Sequence, residues 1–257
     1  MIVGFIGSGN MAAAMARGWA SSGKHPPSQM LFTDSGSGRA TALAAEVGGK
    51  AVDTNEDLVE GADFVVLAMK PKSLAEVAGS LPAPRAVMSL LGGTALGKLV
   101  EQFPESTILR LMPNLAVETG RGVIAVARPE ESDREIVADG LSLLGSLGKV
   151  VELDDGLMDA ATAVMGCSPA YFAVVADALA KVGIEDGLDP EDSLTMVAET
   201  LAGTAELLKR RTPFEIQVAV ASPGGSTEAG LEALAAGGGA EAFEVAALAS
   251  LRRMREG

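Results

Sequence analysis

Histidine and cysteine are almost absent from this sequence, which has one of each in 257 residues. The single cysteine, Cys167, has no partner for an intrachain disulfide, and Cys and His ligands are too few for a zinc cluster, so we expect no metal site. The single histidine, His25, lies in the turn Lys24-His25-Pro26-Pro27, which favours an exposed loop residue over a catalytic base. Hydrolases that depend on an active-site histidine are therefore disfavoured.

Tyrosine is equally scarce. The single tyrosine, Tyr171, is followed four residues later by Val175 rather than by lysine. The Tyr-x-x-x-Lys pair of short-chain dehydrogenases is therefore missing. Any catalysis must rely on hydroxyls, carboxylates, backbone amides, lysines or a bound cofactor.

Basic residues are outnumbered, with 20 Lys and Arg against 34 Asp and Glu, a formal net charge of −14 and a pI of about 4.5. Such an acidic chain is poorly suited to bind phosphate backbones or anionic lipid surfaces. The apolar stretch 160–176 is interrupted by Gly166, Ser168 and Pro169, and no charged segment precedes the strand-like run at Ile2, so neither a membrane span nor a signal peptide is expected. We expect a cytoplasmic protein without nucleic-acid or membrane partners.

Residues 1–153 alternate short β-rich runs with segments of helical length, which is typical of a doubly wound α/β domain with a parallel sheet covered on both faces. The predicted strands are 2–6, 30–33, 64–69, 86–91, 108–112, 122–127 and 149–153, with a weaker one near 50–52. The predicted helices between them are 10–21, 38–47, 55–60, 73–80, 94–102 and 132–147.

Residues 154–257 have a different character, because Ala, Leu, Met and Glu recur at helical spacing and no further β-rich runs occur. The predicted helices are 156–182 with a break near 166–169, 190–211, 213–221, 227–236 and 240–256. Helices such as 190–211 carry more apolar surface than one short domain can bury. We therefore predict an all-α domain through which two chains form an obligate dimer.

The segment Gly7-Ser8-Gly9-Asn10-Met11-Ala12 follows the first predicted strand and opens a helix, in the pattern G-x-G-x-x-A. In a Rossmann-type domain, the first glycine permits the tight turn and the second lets a pyrophosphate approach the backbone. The helix N-terminus then attracts the anion. The alternative is a glycine turn that serves only chain reversal.

The second predicted strand ends just before Asp34, where a dinucleotide fold places the residue that contacts the adenosine ribose. Asp34 alone indicates NAD, since a carboxylate accepts a hydrogen bond from the 2′-hydroxyl and repels a 2′-phosphate. Ser35, Ser37 and Arg39 follow at once and can hold that phosphate if Asp34 turns away. We lean towards NADPH, with NADH left open.

Three loops follow predicted central strands, and ligands of open α/β sheets lie at such carboxyl ends. The loops are Met69-Lys70-Pro71, Leu91-Gly92-Gly93 and Met112-Pro113-Asn114. Lys70 either contributes charge to a phosphate or ribose, or is an ordinary solvated lysine.

The segment Ser222-Pro223-Gly224-Gly225-Ser226-Thr227 is the densest group of small polar residues in the helical half, and it precedes a predicted helix. Free N–H groups at a helix start, together with the Ser226 and Thr227 hydroxyls, suit a small carboxylate. The alternative is an ordinary helix cap with glycines that turn the chain.

These motifs resemble the Δ1-pyrroline-5-carboxylate reductase family over nearly the whole chain. The similarity rests on Ile6 to Ala12, Ala68-Met69-Lys70-Pro71, Arg110 to Asn114, Ser168-Pro169-Ala170-Tyr171, and Ser222 to Gly230, the last being the most specific. The resemblance implies an N-terminal Rossmann domain, a C-terminal helical domain that intertwines two subunits, and often a ring of five dimers. It also implies reduction of a cyclic imine carboxylate to L-proline with NADPH or NADH.

The resemblance further implies roles for individual residues. Gly7 to Met11 would bind pyrophosphate, Asn55 would lie on the adenosine side, and Thr227 would hydrogen-bond the ring nitrogen of the substrate. With Asp34 and Ser35, the candidate cofactor residues are Gly7, Ser8, Gly9, Asn10, Met11, Asp34, Ser35, Asn55, Ala68, Met69, Lys70, Pro71, Met112, Pro113 and Asn114. The candidate substrate residues are Ser222, Gly224, Gly225, Ser226 and Thr227, with Thr227 also the candidate catalytic residue.

Departures from the family pattern leave the choice of imine open. The family usually has S-G-S-G-P-A-Y at Met165 to Tyr171, usually a second threonine at Ser226, and often polar residues at Val218 to Ala221. Rival functions are the reduction of another small cyclic imine, a β-hydroxyacid dehydrogenase and a nucleotide-binding module without turnover. The dehydrogenase family places a catalytic lysine in the first interdomain helix, whereas residues 156–180 contain none.

Overall fold

A computed structural model describes residues 1–22 and 30–256, so that the predicted loop at His25 lies outside the described residues. The chain divides into two compact units. The first comprises Met1–Gly166 with Leu251–Gly257, and the second comprises Cys167–Ser250.

The first unit contains an eight-stranded sheet in the order β3-β2-β1-β4-β5-β6-β7-β8. Its strands are β1 (Val3–Ile6), β2 (Met30–Thr33), β3 (Lys50–Ala51), β4 (Phe64–Leu67), β5 (Ala86–Ser89), β6 (Thr107–Pro113), β7 (Gly122–Ala127) and β8 (Gly148–Glu152). The strand order steps outward from β1 in both directions, with helical connections between most strands. The predicted doubly wound domain is confirmed, and every predicted strand is present.

One strand pair departs from the predicted parallel sheet. β6 and β7 are antiparallel, with Met112 opposite Ala125, whereas every other pair is parallel. Residues 114–121 join the two strands and contain only the short 3₁₀ helix Leu115–Thr119. A parallel crossover needs a dozen or more residues, so this link forces the chain to reverse.

The helices of the first unit cover both faces of the sheet. They are α1 (Asn10–Ser22), α2 (Arg39–Val47), α3 (Asn55–Gly61), α4 (Leu74–Ser80), α5 (Leu96–Gln102), α6 (Arg134–Gly145) and α7 (Met158–Ala161). One buried cluster includes Phe5 and Trp19, whose Nε1–H donates to the carbonyl of Leu143, and a second includes Leu67 and Leu99. Because β1, β4 and β5 are buried along their whole length, their apolar runs mark the centre of the sheet.

The second unit is helical, as predicted. It contains α8 (Ser168–Glu185), α9 (Pro190–Leu208), α10 (Pro213–Val220) and α11 (Ser226–Ala236), and α12 (Gly239–Glu256) begins in it. Pro190 and Pro213 lie in the first turns of α9 and α10, which Asp189 and Thr212 cap with their side chains. The predicted break near residues 166–169 is a π-helical turn, Thr162–Gly166, ahead of α8.

The second unit buries very little of its apolar surface. Among its described residues, only Ala180 and Ser193 are buried, and Phe172, Val182 and Phe214 are 59%, 64% and 71% exposed. Such an apolar surface indicates that the helices pack against something beyond the single chain.

The length and mean hydropathy of Asp155–Glu185 meet the requirements of a membrane span, and so do those of the bent pair α11 and α12. By length and composition alone, these exposed helices are compatible with packing either against lipid or against a second chain. Helices that pack across a subunit interface show the same exposed apolar side chains when one chain is considered alone.

Candidate functional site

The turn after β1 is held tightly against its neighbours. The amide of Gly7 donates to the carbonyl of Thr33 at 3.1 Å, and the Ser8 hydroxyl approaches the same carbonyl at 3.2 Å. Gly7 has φ 98°, and a Cβ there would lie 2.8 Å from backbone atoms of Ala68 and Met69. Glycine at this position is therefore required by the fold itself.

Gly9 differs from Gly7. It precedes α1, and its carbonyl accepts from Ala13, yet a Cβ at Gly9 would meet no protein atom within 4 Å and its φ is not positive. The fold alone gives no reason for glycine here. The open space lies over the N-terminus of α1, whose first turn carries no acidic residue, so the loop fits a pyrophosphate.

Asp34 follows β2, but its carboxylate is directed into its own loop. It accepts hydrogen bonds from the amides of Gly36, Ser37 and Ala40 and from the Ser37 hydroxyl. The amide of Ala40 is the largest cause that lowers the pKa of Asp34, against the opposing effect of burial. Asp34 therefore stays ionised and turned inward.

Asn55 is the first residue of α3, next to the carboxyl end of β2. Its Oδ1 accepts from the Thr33 hydroxyl at 2.7 Å, while the Thr54 hydroxyl caps the helix by accepting from the amide of Asp57. Among the described residues, the Asn55 amide nitrogen has no hydrogen-bond partner. This nitrogen is therefore free to bind a ligand, and the adenosine-side contact that the family resemblance implies stays a prediction.

The loop after β4 begins at Ala68, whose amide donates to the carbonyl of Ile6 and so keeps the loop beside the glycine turn. Ala68 and Met69 pack against the clusters on opposite faces of the sheet. Lys70 is exposed and makes no ion pair with any described residue, and Pro71 opens a 3₁₀ turn. The structure thus brings Gly7, Ser8 and Ala68 together.

Asn114, which follows β6, forms hydrogen bonds within the protein with both polar atoms of its side chain. Its Oδ1 accepts from the amide of Val123, its Nδ2 donates to the carbonyl of Met165, and the residue is buried. Pro113 is buried opposite Ile124. Asn114 therefore braces β6 against the π-helical turn, and a direct cofactor contact stays a prediction.

Arg110 and Asp155 form an ion pair to which the sequence reasoning assigned no role. Arg110 is buried on β6 and donates to the Asp155 carboxylate, whose other oxygen accepts from the amide of Leu96 at 3.0 Å. The sequence signal for this ion pair was an arginine within a mostly apolar strand. The pair fixes the chain after β8 to β6 and to the start of α5.

The segment Ser222 to Thr227 leads into α11, which Gly225 caps without any side-chain hydrogen bond. The amide of Gly225 donates to the carbonyl of Ser222, and the amide of Gly224 donates to Glu228. No described residue is hydrogen-bonded to the hydroxyls of Ser226 or Thr227, or to the amides of residues 226–228. These free first-turn amides suit a carboxylate ligand, and substrate binding at this segment stays a prediction.

Two clefts lie away from these residues. One, of about 460 Å³, involves Ile2, Leu31 and Lys50 near the amino ends of strands, and the other, of about 230 Å³, lies between α4 and Phe103. Neither is lined by a candidate site residue. Ligands of open α/β sheets lie at the opposite, carboxyl ends of the strands. The candidate site is therefore identified by its free hydrogen-bond donors and not by the size of a cleft.

Comparison with known proteins agrees with both halves of the chain. Residues 155–257 match the pyrroline-5-carboxylate reductase dimerisation family, and residues 2–92 match the family described as NADP oxidoreductase coenzyme F420-dependent. The first match covers the exposed helices of the second unit. It explains their apolar surface as a subunit interface, and the chain therefore self-associates.

Relatives align over the full length. The pyrroline-5-carboxylate reductase of Thermus thermophilus is 34% identical, with 100% of this chain and 98% of the relative covered. The reductase of Synechocystis is 32% identical, with 99% and 97% covered. The solved pyrroline carboxylate reductase of Plasmodium falciparum, with NADP bound, superposes with a TM-score of 0.87 at 25% identity, covering 100% of this chain and 97% of that one.

Proposed function

This chain belongs to the pyrroline-5-carboxylate reductase family, and we propose that it reduces Δ1-pyrroline-5-carboxylate to L-proline with NADPH as the hydride donor. The observation that carries the proposal is the full-length identity of 30% or more to reductases that share one activity. The unpartnered amides and hydroxyls at the start of α11 support it independently, because they suit a small carboxylate substrate.

The first unit holds the nucleotide. We assign the pyrophosphate to the amides between Gly7 and Met11, since the space over Gly9 is free of protein atoms. Asn55 lies on the adenosine side, and the loops 68–71 and 112–114 lie on the nicotinamide side. The bound cofactor supplies hydride to the imine carbon, with NADH as the alternative donor.

The substrate is held by the segment before α11. The free amides of Ser226, Thr227 and Glu228 and the Ser222 hydroxyl bind the carboxylate. Gly224, with φ 70°, lets the chain turn into this position, and an added Cβ at Gly225 would lie 2.7 Å from the Ser222 hydroxyl oxygen. The Thr227 hydroxyl orients the ring nitrogen by one hydrogen bond. A nearby Glu228 carboxylate is occupied by the amide of Gly224.

No strong acid is needed for this reaction. A cyclic imine that binds in its protonated form already carries the proton on nitrogen, so that hydride addition at C5 produces the neutral amine directly. Catalysis then consists of positioning, for which amides and one hydroxyl suffice. The scarcity of histidine in the chain agrees with such a mechanism.

The C-terminal half of the chain also forms the contacts between subunits. We assign residues 1–153 to nucleotide binding and residues 154–257 to substrate binding and dimerisation, because the dimerisation family match begins at residue 155. We further propose a cytoplasmic homodimer, with five dimers in a ring as the larger assembly. Neither nucleic acid nor membrane is a partner in this proposal, since the net charge is −14.

The test is a turnover assay with the purified full-length chain. Loss of nicotinamide absorbance with NADPH and pyrroline-5-carboxylate, accompanied by formation of proline, is the expected result. The six-membered cyclic imine carboxylate is the matched control, because the departures at Met165 to Tyr171 concern the choice of ring. Faster turnover of that control would assign the enzyme to another imine, and no oxidation of NADPH or NADH would overturn the proposal.

A further inference from the structure

The carboxylate of Asp34 has no acceptor position left for a ligand. Its Oδ1 accepts from the amides of Gly36 at 2.7 Å and Ser37 at 2.9 Å. Its Oδ2 accepts from the Ser37 hydroxyl at 3.0 Å and from the amide of Ala40 at 2.7 Å. A carboxylate offers about four acceptor directions, so the loop itself uses all of them.

This geometry is opposite to that of an NAD-type ribose contact. An acidic residue at the end of the second strand selects NAD by accepting from the ribose 2′-hydroxyl. Asp34 would have to break bonds to its own loop to do so. The same four donors lower its pKa, so the carboxylate keeps its charge and its orientation.

The loop that Asp34 closes leaves other polar groups free. The Ser35 hydroxyl and the Arg39 guanidinium are exposed, and neither is paired with any described residue. Arg39 is the first residue of α2, whose first turn carries no acidic residue. Gly36 and Gly38 have φ of 85° and 76°, so the short turn that presents these groups needs both glycines.

We propose that Asp34 is a positioning residue that folds the 34–40 loop so that Ser35 and Arg39 receive the 2′-phosphate, and that it thereby favours NADPH over NADH. The inference rests on the proposed function, since it takes the nucleotide site as given. It reverses the role that an acidic residue at this position usually indicates. Removing the carboxylate should weaken NADPH binding rather than improve it.

Calorimetric affinities for NADPH and NADH, measured without substrate, test the proposal. Asp34→Ala should raise the Kd for NADPH roughly tenfold and leave that for NADH within about threefold, because only the 2′-phosphate partners lose their support. Arg39→Ala should show the same selective loss. Ser37→Ala, which removes one donor to Asp34 and keeps the loop, should show a smaller loss of the same sign.

A second measurement does not depend on nucleotide. Amide hydrogen exchange should show Gly36, Ser37 and Ala40 protected in the parent and unprotected in Asp34→Ala, with intermediate protection in Asp34→Asn. Tighter NADPH binding by Asp34→Ala, or a selective loss of NADH binding, would overturn the inference alone. Unprotected amides in the parent would also overturn it. A parent that binds neither dinucleotide would instead refute the proposed function.

Discussion

Gly7 and Gly9 belong to one motif but should respond to substitution in opposite ways. Gly7 has φ 98°, and its added Cβ would lie 2.8 Å from the backbone of Ala68 and Met69, which cannot rotate away. Gly9 has open space around its added Cβ and no positive φ. Gly7→Ala should therefore damage the fold, and Gly9→Ala should damage only nucleotide binding.

The magnitudes follow from these contacts. A non-glycine residue at such a φ costs about 1–3 kcal/mol, and the backbone overlap adds to it, so Gly7→Ala should destabilise the protein by at least about 2 kcal/mol. For a domain of this size that lowers Tm by roughly 4–8 °C. Gly9→Ala should change stability by less than about 1 kcal/mol. It should raise the Kd for NADPH roughly ten- to a hundredfold, since the pyrophosphate loses its close approach to the backbone amides.

Thermal melting and calorimetric titration with NADPH, both at one protein concentration, separate the two effects. Gly9→Val serves as the larger probe and should abolish binding while leaving the helical unit folded. Parental affinity in Gly9→Ala would mean that the open space over Gly9 is not the pyrophosphate site. A parental Tm in Gly7→Ala would contradict the contact argument.

Three further predictions concern the substrate, the assembly and the buried ion pair. Thr227→Ala should lower kcat/KM for pyrroline-5-carboxylate by roughly ten- to a hundredfold with little change in NADPH affinity, and Thr227→Ser should restore most of the activity. A parental kcat/KM in the alanine variant would remove Thr227 from the site. Sedimentation at micromolar concentration should show a dimer or a larger assembly, and a stable monomer would contradict the assignment of the exposed helices. Asp155→Ala leaves the Arg110 charge buried without its partner and should cost about 3–5 kcal/mol of unfolding free energy in urea, whereas an unchanged midpoint would show that the pair contributes nothing.

Local signals predicted the elements well, because strand and helix periodicity is written in neighbouring residues. The runs at Phe64 and Ala86 became buried central strands, and Pro190 and Pro213 opened helices. The antiparallel pairing of β6 with β7 was not predicted. A short link after Asn114 was visible in the sequence, but strand direction depends on which neighbour the chain reaches.

Composition and motif alone determined the class of this protein. One histidine and one cysteine disfavoured histidine-dependent hydrolases and a zinc cluster, and the glycine motif after the first strand indicated a dinucleotide. The segment Ser222 to Gly230 pointed to the family, because it resembles the most specific motif of that family. Composition and short motifs depend only on the residues themselves and their neighbours along the chain, so the sequence alone reveals them.

Only the tertiary structure decided how the same residues are used. It separated Gly7, which the fold requires, from Gly9, which the fold leaves open, and it turned Asp34 into its own loop. It also placed Asn114 in a hydrogen bond to the carbonyl of Met165 and paired Arg110 with Asp155, 45 residues away. A hydrogen-bond partner or a steric contact brought close by folding is set by packing, and no spacing along the chain specifies it.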